Sequence, residues 1–218
     1  MTDTIYTKDD FRDLFDVSDA VYANIETYAA LLVKWNKAIN LVSPKTINEC
    51  WHRHLIDSAQ VEKYIPEGTK IYADLGCGGG FPGLVIALMR PDLETHLVES
   101  DERKCQFMRT VIRETGAKNA TVHTERVENV TDVFTPDLVT ARALKSLVEL
   151  FDFVAPWASS NPEIDLCFMK GMRVDEEISE ARKRYDFDVT HSNQSITSKD
   201  ARIITIARVR PLDVHSLS

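Results

Sequence analysis

The chain has 218 residues, enough for one sizeable domain with an appendage. Its 44% apolar content argues against disorder, and its net charge of −8 argues against a general nucleic-acid binder, which carries a basic surplus. A local basic cleft is still allowed, because the field in a groove follows the charges that line it. Cys50, Cys77, Cys105 and Cys167 show no CxxC spacing and no histidine at zinc-ligand spacing, so neither disulfides nor a metal site is expected. No stretch approaches the ~20 apolar residues of a membrane span. Met1-Thr2-Asp3-Thr4-Ile5 lacks the basic start of a leader, and a cytoplasmic protein is expected.

In chain order, residues 1 to about 65 read as helical. Val21, Ile25, Tyr28, Leu32, Trp35 and Ile39 recur at spacings of three or four and make one apolar face, with Ser18 and Asp19 as caps and Pro44 beyond the end. A second short helix is expected through Trp51, Leu55, Ile56 and Val61. Pro66-Glu67-Gly68 breaks the chain, which divides it into a helical extension, 1–66, and a second segment, 67–218. Strands are then expected at 70–75, 95–99, 120–124, 138–140, 164–169, 187–191 and 202–209. Helices are expected from Pro82 to Met89, from Asp101 to Gly116, through Leu147 to Val154, and from Val174 to Arg184. Alternating strands and helices predict an α/β fold with a mostly parallel seven-stranded sheet. The last two strands have no helix between them, so a hairpin must join them and one lies antiparallel in the sheet.

Five of the eight glycines fall between Gly76 and Gly83, after a strand and before a helix, which is the setting of a nucleotide-binding turn. Gly78, Gly80 and Gly83 satisfy GxGxxG, the dinucleotide pattern. Asp74 pulls the other way: a carboxylate beside a pyrophosphate is repelled, whereas beside the cationic aminopropyl group of S-adenosylmethionine (SAM) it is favourable. Phe81 and Pro82 also crowd the helix start, where a pyrophosphate would want free N–H groups. Glu99, at the tip of the next strand, can accept both hydroxyls of an adenosine ribose, a feature common to SAM and NAD. Both cofactors therefore stay open on these residues, with SAM favoured.

Asp74-Leu75-Gly76-Cys77-Gly78-Gly79-Gly80-Phe81-Pro82-Gly83 resembles the D-x-G-x-G-x-G-F-P-G segment of the bacterial small-subunit ribosomal RNA guanine-N7 methyltransferases, the glucose-inhibited division protein B family. Trp35-Asn36-Lys37-Ala38-Ile39-Asn40-Leu41 resembles its W-N-x-x-x-N-L, and His54-Leu55-Ile56-Asp57-Ser58 its H-x-x-D-S. Arg126-Val127-Glu128, Ala141-Arg142-Ala143 and Met169-Lys170-Gly171 follow in the family's order. Cys77 and Gly79 stand where the family often has Ser and Ala. The resemblance implies a Rossmann-like SAM-dependent methyltransferase fold with an N-terminal helical extension, and methylation of N7 of one guanine in 16S rRNA, free or in the small ribosomal subunit. It adds cofactor contacts at Gly76, Phe81, Val127, Glu128 and Arg142 to those read above at Asp74, Gly78 and Glu99. A methyltransferase acting on a small molecule or on another RNA position is the alternative, because fold does not fix substrate.

Guanine N7 carries a free lone pair at neutral pH, so no general base is required and none is assigned. Arg142 and Lys170 sit where parallel strands should end and are candidates for orienting substrate. Lys34, Lys37, Lys45, Arg53, Lys145 and Arg173 are further candidates for RNA contacts. N7 faces the major groove, which in A-form RNA is too deep and narrow for side chains, so the target should be unpaired or extruded. Trp35, Trp51 and Phe81 could stack on it, although packing is the expected role of Trp35. His54 and Asp57 are expected to fix the extension against the cofactor segment. Asn40 suits either a turn or a guanine contact.

Overall fold

The seven expected strands all form: Ile71–Leu75 (β1), Glu94–Glu99 (β2), Ala120–Thr124 (β3), Leu138–Arg142 (β4), Asp165–Lys170 (β5), Tyr185–Ser195 (β6) and Ser198–Pro211 (β7). The computed structural model describes residues 4–212. The outermost residues of both segments, including the first three of the stretch read for a leader, lie outside the described residues. The strand order is β3-β2-β1-β4-β5-β7-β6. The first five strands pair in parallel, and β7 runs antiparallel to both β5 and β6. Central strands such as β1 and β4 are almost wholly buried, as continuous apolar runs with helices on both sides must be.

Helices Gly83–Met89 (α4) and Glu102–Thr115 (α5) lie against one face of the sheet, and Leu147–Ser160 (α6) and Val174–Ala181 (α7) against the other. Asp101 caps α5 by accepting the N–H groups of Arg103 and Lys104, and Gly116 closes it at φ +68°. α6 starts on a capping box in which Ser146 and Glu149 each bond the other's backbone N–H.

The extension is less regular than its sequence suggests. It contains Lys8–Leu14 (α1), Asp19–Trp35 (α2), and a π-helical turn, Trp51–Ile56, that runs into Asp57–Ala59 (α3). α2 stops at Trp35 because the Asn36 side-chain carbonyl accepts the N–H groups of Leu41 and Val42, both at 2.9 Å, and folds the chain back. Ile39, expected on the helical face, lies beyond the helix end but still packs on the core. The fully inward residues of α2 are Tyr22, Ile25, Tyr28, Ala29 and Leu32, with Val21 and Trp35 at the margins. Trp35 packs on Phe107 and Trp51 stacks on Tyr22, so both indoles serve packing.

The inward face of α2 and the residues of α4 and α5 form one continuous apolar cluster. The extension thus shares its apolar core with the helices on that face of the sheet. Leu32 is wholly buried in that cluster, so Leu32→Ala should cost about 2–5 kcal/mol. In urea unfolding, tryptophan fluorescence and far-UV circular dichroism should still report a single shared transition, moved to lower denaturant. A separate early transition would mean that the extension unfolds on its own.

Candidate functional site

Because β1, β2, β4 and β5 are parallel, their carboxyl ends open on one edge of the sheet, where α/β folds place ligands. The glycine turn is built there around Asp74. This carboxylate is wholly buried; one oxygen accepts the Gly83 N–H at 2.7 Å and the other the Thr140 hydroxyl at 2.8 Å. A Cβ on Gly83 would sit 2.6 Å from the Asp74 Cβ and 2.5 Å from Leu97, so only glycine lets α4 begin this close to β1. Gly76 turns at φ +60°, and a Cβ there would meet Leu144 at 2.4 Å. The Tyr28 hydroxyl donates to the Gly79 carbonyl at 2.5 Å while its ring stacks on Phe81, so the extension grips the turn from behind.

In front of the turn lies a cavity of about 490 Å³, within the usual range for small-molecule sites. Of the expected cofactor residues, Gly76, Gly78, Glu99, Val127 and Glu128 line it. Glu99 accepts the Gly78 N–H at 3.0 Å and the Asp101 N–H at 2.9 Å, which sets both its oxygens at the cavity wall. Val127 and Glu128 arrive on the 3₁₀ turn Val127–Asn129 after β3. Asp74, Phe81 and Arg142 are not among the lining residues. Asp74 and Phe81 are buried behind the turn, which they shape from within. Ser100, Lys104 and Leu144 also line the cavity and were not singled out from the sequence. Their one signal is position, in the loops after β2 and β4 and the first turn of α5.

Arg142 collects three distant motifs. Its guanidinium lies over the Phe81 ring, 4.9 Å from the centroid. Nη1 donates to the Arg53 carbonyl and to Asp57, both at 3.4 Å, and Nη2 donates to His54 Nδ1 at 3.3 Å. An arginine only donates, so His54 Nδ1 is the acceptor and the ring proton resides on Nε2, which donates to the Thr46 hydroxyl at 2.8 Å. Burial, with Arg142 and Arg53 close by, depresses the His54 imidazole to about 3, so it stays neutral. Asp57 also accepts from Ser195, Thr197 and Gln60. His54 and Asp57 therefore tie the extension to β4 and to the β6–β7 turn through long-range bonds.

Lys170 is buried, and its ammonium donates to the Lys145 carbonyl at 2.7 Å and pairs with Glu177 at 2.5 Å. With these partners its contacts are to the loop after β4 and to α7. A second cleft, of about 710 Å³, opens beside Lys170 and shares Ala143, Leu144 and Lys145 with the first. Lys34, Lys37, Lys45, Arg53, Lys145 and Arg173 are exposed. Asn40 is also exposed, while the turn it was considered for is made by Asn36. The four cysteines are free and buried. Burial raises the thiols of Cys77 and Cys167, the latter to about 12, so neither supplies a thiolate. Among the described residues no group of three acidic, histidine or cysteine side chains could hold a metal ion, and no helix is long and apolar enough to cross a membrane.

Residues 21–205 match the GidB family, described as rRNA small subunit methyltransferase G. The chain belongs to this family. Among its relatives, the ribosomal RNA small subunit methyltransferase G of Parvibaculum lavamentivorans is 45% identical over 86% of this chain and 84% of its own length. The enzyme of the same name from Rhodospirillum centenum is 40% identical over 93% and 91%. Among solved structures, the glycopeptide N-methyltransferase MtfA complexed with SAM superposes with a TM-score of 0.58 at 10% identity, covering 71% of this chain and 93% of that one. A fibrillarin/Nop5p complex gives 0.56 at 11% identity over 72% and 82%. At such identities these two show a common fold, the Rossmann-like methyltransferase fold. Family membership sets aside the NAD alternative that the glycine pattern left open.

Burial pushes the Asp74 carboxyl up to about 7, against the opposing pull of the Gly83 and Thr140 hydrogen bonds and of Arg142. The folded protein then holds this proton more tightly than the unfolded chain, whose group titrates near 3.8. Its contribution to stability is complete below pH 4 and is lost as pH rises through about 7. Relative to Asp74→Asn, the wild type should lose about 2 kcal/mol between pH 5 and pH 8, read from urea midpoints. Parallel pH curves for the two proteins would contradict this.

Proposed function

We propose that this chain is a SAM-dependent methyltransferase that modifies N7 of a specific guanine of 16S rRNA, in the cytoplasm, on the free RNA or within the small ribosomal subunit. The observation that carries this reading is the 490 Å³ cavity at the glycine turn, walled by Glu99, in a chain of the rRNA small subunit methyltransferase G family.

The residues present fit the cofactor. Glu99 offers acceptors for a ribose diol at the tip of β2, as a carboxylate does in adenosine sites. Gly76 and Gly78 leave the cavity's near wall without side chains, and Val127 and Glu128 close the far wall. Arg142, which the motif likeness makes a cofactor contact, is held next to Ala143 on the same strand tip. When bound, SAM supplies a methyl group already activated on a sulfonium.

The chain's own part is to hold, orient and keep dry. Guanine N7 attacks through an in-plane lone pair, so no proton has to leave first. The surroundings agree: the imidazole beside Arg142 is a poor base with its Nδ1 already occupied, and the buried thiols stay protonated. The rate advantage is then one of proximity, from aligning the acceptor atom with the methyl carbon and sulfur. Positive charge passes to the purine as the methyl transfers, and nearby acceptors lower the barrier most where water is excluded.

Two measurements test the assignment. Tritium from labelled SAM should enter 16S RNA from cells lacking this protein, at one guanine, and replacement of that guanine by 7-deazaguanine should abolish incorporation. Incorporation that survives the replacement would exclude N7. Glu99→Gln, which removes one acceptor oxygen, should weaken SAM binding at least tenfold in calorimetry, in line with about 1.5–3 kcal/mol for a hydrogen bond to a charged group. Unchanged affinity would take Glu99 out of the site.

A further inference from the structure

Two histidines outside the site face each other across neighbouring strands. His96 on β2 is 7% exposed, and its Nδ1 lies 2.8 Å from Nε2 of His123 on β3. Its other ring nitrogen, Nε2, lies 3.1 Å from the Glu94 carboxylate. A carboxylate accepts, so Nε2 of His96 carries the proton and Nδ1 accepts from His123. The Phe134 ring stacks on His96 with centroids 3.9 Å apart. Trp157 packs on Phe134, and its indole N–H donates to the Phe134 and Thr131 carbonyls at 2.8 and 3.1 Å. Phe134 lies at the far end of the segment that leaves β3 and carries Glu125, Arg126, Val127 and Glu128 along the cofactor cavity. Val98, two residues beyond His96 and on the same face of β2, lines that cavity too.

We infer that His96 is a positioning residue for SAM binding, and that its hydrogen-bonded chain with Glu94 and His123 is an acid-sensitive latch: a neutral His96 holds Phe134 and the cavity wall attached to it, and a proton on His96 releases them. This inference rests on the SAM-binding part of the reading above. The pair has room for one added proton. Nδ1 of His123 takes it without disturbing either hydrogen bond. A second must go to Nδ1 of His96, the atom that accepts from His123, and it sets two cations face to face where the nitrogens are now 2.8 Å apart. β1 sets Ala73 beside His96, the segment after β3 sets Phe134 over it, and α6 reaches the stack through Trp157. Of that segment's charged residues, Glu125, Arg126 and Glu128 line the cavity, Asp132 is exposed, and Asp137 accepts the N–H groups of Lys70 and Ile71. Glu94 and His123 are thus the ionisable groups that reach the ring. Burial depresses the His96 imidazole below its ordinary value against the pull of Glu94, and burial with His96 close by depresses His123. The folded protein therefore favours neutral rings. Their contribution to stability is complete above pH 6.5, the ordinary value, and is lost as pH falls from there through the depressed values.

Calorimetry of SAM binding between about pH 7.5 and about pH 5.5, the range in which a histidine changes charge, tests the latch. Asp74 titrates in the same window in every variant, so proteins are compared with one another at each pH. His96→Phe keeps a ring under Phe134 and takes no proton. On acidification the wild type should lose about fivefold more affinity than this variant, as a released wall costs the bound state. His96→Ala, which removes the ring, should bind SAM about fivefold more weakly than the wild type already at neutral pH. His123→Gln keeps a donor for Nδ1 of His96 and takes no proton, so it should follow His96→Phe, and it carries the comparison if His96→Phe is insoluble. A variant curve that falls in parallel with the wild type overturns the inference, as does wild-type affinity in His96→Ala. The latch is also read without cofactor. In NMR spectra of the free protein the Trp157 indole N–H, identified by its loss in Trp157→Phe, should shift on acidification in the wild type and hold its place in His96→Phe. The same pH course in both proteins overturns the latch. Unmutated protein that binds no SAM at neutral pH overturns the cofactor reading instead, and the indole signal still decides on the latch.

Discussion

The functional edge depends on one buried carboxylate. Asp74 has no access to water, and a lone carboxylate there would be costly. Its cost is offset by two short hydrogen bonds, each to a different element: the Gly83 N–H at the start of α4 and the Thr140 hydroxyl on β4. These bonds fix the helix start and the neighbouring strand relative to β1, and the glycine turn between Leu75 and Gly83 has to span that fixed gap. The turn can do so only with residues that lack Cβ atoms where Asp74, Leu97 and Leu144 approach. The Thr140 hydroxyl also contacts Tyr72, so the constraint extends into the sheet interior.

A second constraint reaches the site from the extension. His54, Asp57 and the Arg53 carbonyl hold one side of the Arg142 guanidinium, and Phe81 lies under its face. Phe81 is backed in turn by Tyr28 of α2. The helical extension thereby contributes to the geometry of a strand tip it does not belong to, and the shared apolar cluster keeps that contribution rigid. Each bond around Arg142 is long by itself, but several acceptors on one planar, delocalised cation restrict its orientation together.

The sheet was legible in the sequence because its central strands carry short apolar runs between turn residues, and the hairpin followed from the missing helix between β6 and β7. The extension was less legible. Its periodicity through Val21–Ile39 suggested a helix longer than α2, and the helix ends at Trp35 because the Asn36 side chain competes for backbone donors, a local effect that apolar spacing does not register. At the site, the glycines and Glu99 were readable from strand-turn-helix context, and Gly76, Gly78 and Glu99 line one cavity. Asp74 was expected to face a cationic ligand. A sequence gives the charge of a side chain but not its burial, and here the carboxylate lies inward, occupied by Gly83 and Thr140. Lys170 shows the same gap: its place at a strand tip was correct, and its engagement by the Lys145 carbonyl and by Glu177 of α7 depends on tertiary packing that no motif records.

Taken together, these contacts concentrate on residues 142–145. Arg142 is held at one end by His54 and Asp57, and the Lys145 carbonyl is held at the other by Lys170. Between them, Ala143 and Leu144 form the wall common to both cavities, and Leu144 packs into the space that Gly76 leaves. A reaction that needs no proton removed gains little from an acid or a base, and it gains much from two reactants held at a fixed distance and angle. A loop fastened at one end by the half-buried Arg142–Asp57 ion pair and at the other by the hydrogen bond from buried Lys170, with a strained residue in the middle, has little freedom to vary that distance. Arg142 and Lys170 thus act on the protein's own groups, and the chemistry is left to the geometry they hold.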